Sequence, residues 1–142
     1  MYASGRWHTI GHRITYCCYD SSAALLESLV HLRGKLALVP KRLKYLMIEV
    51  PGDIKLERID DSKLPPRWRN ELRVTRALGD GWLESKRSPA LEVPSVLSPA
   101  SRNLLLNPLH PAAASIRAVE TIDHPVDPRL VRRRAQRPTR RR

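Results

Sequence analysis

Phenylalanine is absent from all 142 residues, and three Trp and four Tyr are the only large aromatic side chains. A packed core must therefore be made of Leu, Val, Ile and Ala, and each aromatic residue needs its own reason to be present. With 42% apolar residues the chain can bury one core but not two independent ones, so one compact unit is expected.

The order of elements narrows the fold further. After a glycine-containing opening stretch (residues 1–11), HRITYCCY (12–19) alternates and is rich in strand-forming residues. Asp20, Ser21 and Ser22 then offer N-cap oxygens ahead of AALLESLVHL, in which Leu25, Leu26, Leu29 and Val30 recur at helical spacing. A strand, tight turn and helix over 12–32 follow. Residues 33–42 form a connection, 43–50 a second strand closed by Pro51 and Gly52, and 54–59 a short third strand. Residues 71–85 carry Leu72, Ala77, Leu78, Trp82 and Leu83 in a helical pattern that Gly79 and Gly81 weaken, each by up to about 1 kcal/mol relative to Ala. A strand over 90–99 runs into Pro94, 103–111 is an apolar stretch bounded by Asn and Pro, and 115–122 is a last strand. Short mixed strands with two or more helices define a small α+β domain.

The formal charge of +12 resembles a nucleic-acid footprint until it is mapped. Residues 129–142 hold eight Arg and no acid, which leaves +4 on residues 1–128. The domain is thus expected to span 1–130, with 131–142 a disordered Arg-rich tail. Cys17 and Cys18 are adjacent on a strand and point to opposite faces, which disfavours a disulfide between them. No signal-peptide pattern or apolar run of about 20 residues is present, so a reduced cytoplasmic location without membrane attachment is expected. The five His and the paired Cys lack metal-ligand spacing, and no GxGxxG or GxxxxGK[ST] cradle occurs, so neither a metal nor a classical nucleotide loop is expected.

The chemistry-bearing signal is an ordered series: Gly5-Arg6-Trp7, Tyr16, ALLESLVHL with Glu27, ALGDGWL (77–83), LEVPS with Ser95, LLNPLHP with Asn107 and Pro108, and DPRL ending at Leu130. In this order the chain resembles the RES-domain family of bacterial toxins, over nearly all of residues 5–130. That resemblance implies an ADP-ribosyltransferase-like fold and an enzyme that breaks the nicotinamide–ribose bond of NAD+, taken as substrate. It implies catalytic roles for Arg6, Glu27 and Ser95, NAD+ binding by Arg6, Tyr16, Ser95 and Asn107, and a cognate antitoxin partner, with a homodimer inside the toxin–antitoxin complex as one arrangement.

The residue types suit that chemistry independently. Breaking the bond builds positive charge on the sugar, which a carboxylate such as Glu27 stabilises, and the same group can hold a ribose hydroxyl or orient a water. An arginine fork suits a pyrophosphate, Tyr16 can stack on the cationic ring, and Ser95 can hydrogen-bond ribose or carboxamide. Taken singly, each has a blander reading. Glu27 lies on the flank of the apolar arc and reads as a solvated helix residue, with His31 one turn later as a potential partner. Arg6 reads as a loop arginine, Trp7 as a core anchor, Tyr16 as packing, and Ser95 and Asn107 as turn residues.

Two departures from the family pattern stand out. His8 occupies a position where Asn is common, a change expected at the pocket rim, and the family usually has a further strand and a Gly-containing loop ahead of GRW. Two competing functions remain: transfer of ADP-ribose to a macromolecule, and non-enzymatic nucleic-acid binding through the Arg tail.

Overall fold

A computed structural model describes residues 3–32 and 39–130. The expected disordered tail (131–142) and most of the expected connection over 33–42 lie outside the described residues. The chain forms β1 (Thr15–Cys18), α1 (Ser21–His31), β2 (Arg42–Glu49), β3 (Leu56–Arg58), α2 (Leu72–Ser85), β4 (Ala90–Pro94), β5 (Arg102–Leu106) and β6 (Arg117–Pro125), joined by loops and short 3-10 turns. This is the expected α+β domain.

Four strands make one sheet in the order β1-β5-β4-β3, antiparallel except for the parallel pair β3 and β4. The register aligns Tyr16 with Leu105 and Cys18 with Asn103, while Val93 on β4 also faces Asn103. β5 lies where the sequence pattern shows only an apolar stretch. Both central strands are covered on both faces, so their residues are buried continuously and the period-two alternation that marks a half-exposed strand is lost.

The pleat of β4 and β5 separates two apolar clusters. Leu91, Val93 and Leu105 join Trp7, Leu64, Trp68, Trp82 and Leu83 on the face toward α2, whereas Ala90, Leu104 and Leu106 meet Cys17, Ile48, Val50, Ile54 and Ile116 on the other. The expectation of an all-aliphatic core is corrected here: Trp7, Trp68 and Trp82 are 2–4% exposed and form the centre of the larger cluster. Trp7 and Trp68 lie 5.9 Å apart in a tilted pair, and the Trp82 indole donates to Ser88 Oγ at 2.9 Å, satisfying its polar edge. With few aromatics, the fold places all three indoles together.

The remaining strands, β2 and β6, form a separate antiparallel ribbon with a bulge between Met47 and Ile48. All nine residues of β6 are exposed, and Ile48 of β2 joins the second cluster.

Candidate active site

The β1–α1 unit sets the first functional group. Asp20 caps α1 through its carboxylate, which accepts the Ala23 amide at 2.8 Å. One turn on, Glu27 comes to the edge of the sheet, half-buried, where Asn103 Nδ2 donates to its Oε1 at 2.9 Å. The bland reading of a solvated residue is thereby corrected. His31 is not the partner of the carboxylate: its ring contacts the Glu27 main-chain carbonyl at 3.3 Å. None of the apolar arc of α1 is fully buried, and Leu26 and Val30 remain 40% and 48% exposed.

Arg6 comes from the Gly5–Thr9 loop, whose next residue, Trp7, is locked in the core. Its guanidinium donates to the Arg69 carbonyl at 2.7 Å. Burial lowers its pKa from the ordinary value and neighbouring Arg76 lowers it further, against the opposing fields of Glu27 and Tyr16. Arg6 thus lies within electrostatic range of both Glu27 and Tyr16.

Tyr16 is bound to that loop through its hydroxyl, which accepts the Trp7 amide at 3.0 Å and lies 2.9 Å from His8 Nδ1. His8 Nε2 sits 3.0 Å from the Ala3 carbonyl, an acceptor only, so Nε2 carries the proton and Nδ1 accepts from Tyr16. Burial depresses the His8 pKa, in keeping with that neutral tautomer, and pushes the Tyr16 phenol up to about 12. His8 is therefore not a rim residue: it is 6% exposed, its ring bridging the Tyr16 hydroxyl of β1 and the Ala3 carbonyl.

Ser95 lies at the end of β4, two residues past Val93, and so at the same end of the sheet as Asn103. It is buried, and its Oγ accepts the amides of Leu97 and Ser98 at 3.2 Å each. Its hydroxyl proton is left to point elsewhere. Asn107 is placed apart from this group. It is four residues beyond Asn103, about 13 Å along a strand, where it is buried, reaches toward the Leu83 carbonyl at 3.4 Å and accepts the Leu109 amide at 3.0 Å. That is the geometry of a turn anchor.

Asn103 is the candidate site residue that the sequence series does not contain. It belongs to the unpredicted strand β5, and its side-chain oxygen also accepts from Cys18 Sγ at 3.5 Å. Cys17 and Cys18 are both free thiols, and burial raises both pKa values, that of Cys18 to about 11. Among the described residues no group of three or more His, Cys, Asp or Glu could hold a metal, and no helix is long and apolar enough to cross a membrane.

Glu27, Asn103 and Ser95 thus lie toward one end of the four-stranded sheet, Tyr16 stands on the neighbouring strand β1, and Arg6 feels the fields of both Glu27 and Tyr16. The description of the RES domain matches residues 1–128. The chain belongs to the RES-domain family. It is 38% identical over 133 residues to a Sphingobium protein named "Prs ADP-ribosylating toxin", covering 91% of this chain and 81% of that one. It is also similar to two proteins named "Toxin Res". The one from Pseudomonas putida is 35% identical (89% of this chain, 86% of the relative), and the one from Yersinia enterocolitica is 36% identical (89% and 83%).

Proposed function

We propose that this RES-domain protein is a toxin that cleaves the nicotinamide–ribose bond of NAD+, by hydrolysis or phosphorolysis. The observation that carries the reading is the Glu27 carboxylate, hydrogen-bonded by Asn103 and within the electrostatic reach of Arg6. A cation and an anion within each other's electrostatic range suit a substrate with a pyrophosphate at one end and a reacting sugar at the other.

In the reaction the C–N bond breaks with its electron pair leaving on nicotinamide, whose positive charge is neutralised while the ribose becomes oxocarbenium-like. Glu27 stabilises that developing charge. Water or phosphate then bonds to the sugar carbon and gives up its proton, with Glu27 placed to receive it. Arg6 holds the pyrophosphate, the Tyr16 ring faces the nicotinamide, and Ser95 donates its remaining proton to a ribose or carboxamide oxygen.

A second reading, transfer of ADP-ribose to a macromolecule, is favoured by the name of the Sphingobium relative. The two share the bond-breaking step and differ in acceptor. In either case a cytoplasmic toxin that consumes NAD+ has to be restrained in its own cell, which fits a cognate antitoxin as partner, bound to a monomer or homodimer of this chain.

The test is nicotinamide release from NAD+ by purified protein, with and without phosphate. Glu27→Gln is expected to lower it by about 10²-fold or more; no release by the wild type, or full activity of the variant, refutes the proposal. Label from adenine-labelled NAD+ ending on protein or nucleic acid selects the second reading.

A further inference from the structure

The ALGDGWL segment belongs to the ordered series, yet the chemistry above assigns it nothing. Its glycine and aspartate stand with two earlier residues on one face of α2: Thr75, Arg76, Gly79 and Asp80 follow the i, i+1, i+4, i+5 spacing that lines up on a helix. That face meets the main chain of the Gly5–Thr9 loop. Arg76 Nε donates to the Gly5 carbonyl at 2.9 Å, and Thr75 Oγ1 donates to the Arg6 carbonyl at 2.6 Å. The Trp7 carbonyl oxygen occupies the place of a side chain at position 79, only 1.7 Å from where a Cβ would stand. The Thr9 amide donates to Asp80 Oδ1 at 2.9 Å. From the other side, the Tyr16 hydroxyl takes the Trp7 amide.

A loop of this kind ordinarily leaves such groups to water and keeps its freedom. Here the helix grips the peptide units of residues 5, 6, 7 and 9, and does so through main-chain atoms. The trace is therefore fixed whatever side chain residue 6 carries. What the grip determines is where that side chain starts and the direction in which it leaves.

The geometry points to Gly79 and Asp80 as positioning residues that aim Arg6 at the diphosphate of the substrate. Gly79 admits the Trp7 carbonyl, and Asp80 ties down the far end of the loop. The inference rests on the proposed reading of Arg6 as the pyrophosphate holder. A glycine inside a helix costs up to about 1 kcal/mol relative to Ala, and at position 79 close approach of the loop accounts for it.

Asp80→Ala, which leaves the helix and the Trp7 contact in place, is the cleanest probe, with Asp80→Asn restoring an acceptor oxygen. Asp80→Ala is expected to raise KM for NAD+ about tenfold with kcat within about twofold, since a misaimed guanidinium loses binding and not the carboxylate chemistry. Asp80→Asn should return KM to within about threefold of the wild type. In parallel, amide hydrogen exchange in residues 5–12 should accelerate about tenfold in Asp80→Ala while β4 and β5 exchange as before. Unchanged loop exchange overturns the inference, as does faster loop exchange with KM unmoved. If the wild type releases no nicotinamide, the catalytic reading has failed by itself, and inorganic pyrophosphate binding replaces KM. An approximately tenfold weaker Asp80→Ala then supports the positioning role, while equal affinity, or no binding by the wild type, overturns it.

Discussion

The two segments that bring charge to the site are held in opposite ways. The Gly5–Thr9 loop has no regular structure of its own, yet it is gripped by four residues of α2, by the Tyr16 hydroxyl and by an indole with 2% exposure. α1 is regular and well capped, yet it buries no residue completely, and among the described residues one amide, that of Asn103, hydrogen-bonds the Glu27 carboxylate. Regular secondary structure and firm placement are thus separate properties. A hydrogen-bonded helix can sit loosely on a domain while an irregular loop is rigid, because placement comes from tertiary contacts.

The largest test of that contrast is Trp7→Ala. Removing a fully buried indole from a core shared with Trp68 and Trp82 is expected to cost about 3–5 kcal/mol in denaturant unfolding and to abolish nicotinamide release, because the loop loses its anchor. A loss below about 1 kcal/mol would break the comparison from the loop side. On the α1 side, Asn103→Ala is expected to lower nicotinamide release about tenfold while reducing stability by only about 1 kcal/mol. Asn103→Asp should be worse for activity, since it sets a second carboxylate against Glu27. Activity unchanged in both variants would mean that α1 is positioned by something else.

The smallest effect sharpens how the loop responds to acid. Burial holds the His8 pKa below its ordinary value of about 6.5, with Asp80 opposing the shift and His12 and Arg76 adding to it. Below about pH 6.5 the unfolded chain therefore takes up a proton that the folded chain resists. The contribution of neutral His8 is fully present above that pH and is lost as pH falls from it toward the depressed folded value. Thermal midpoints from pH 7.5 to 5.5 should drop less steeply for His8→Gln than for the wild type. An equal slope would show that His8 does not carry this dependence.

Local signals in the sequence located most elements and the start of α1, because an N-cap aspartate and helical spacing act over a few residues. They failed where burial or pairing is non-local. β5 is covered on both faces and shows no alternation, and with β5 unassigned, Asn103 could not be set opposite Cys18 or Glu27. Gly79 read as a weakness in a helix, since nothing nearby announces that a carbonyl from residue 7 fills the gap. Scarce aromatics pointed to an aliphatic core, but three indoles brought together from positions 7, 68 and 82 supply its centre. The candidate site residues stood out as an ordered series, and their individual environments did not: Ser95 and Asn107 look alike as residues at a proline turn, yet they end up at opposite ends of the central strands.

Arg6 and Trp7 are consecutive, one proposed to hold the substrate and the other sealed in the core. Only a single peptide bond separates the residue proposed to meet the ligand from one that keeps the chain folded, so no length of chain lies between them over which a disturbance could dissipate. On the proposed role of Arg6, catalytic fitness and thermal endurance are consequently not independent traits. Substitutions that relax the indole cluster should erode substrate affinity before the domain melts, and changes that tighten it should be felt at the guanidinium in the same step.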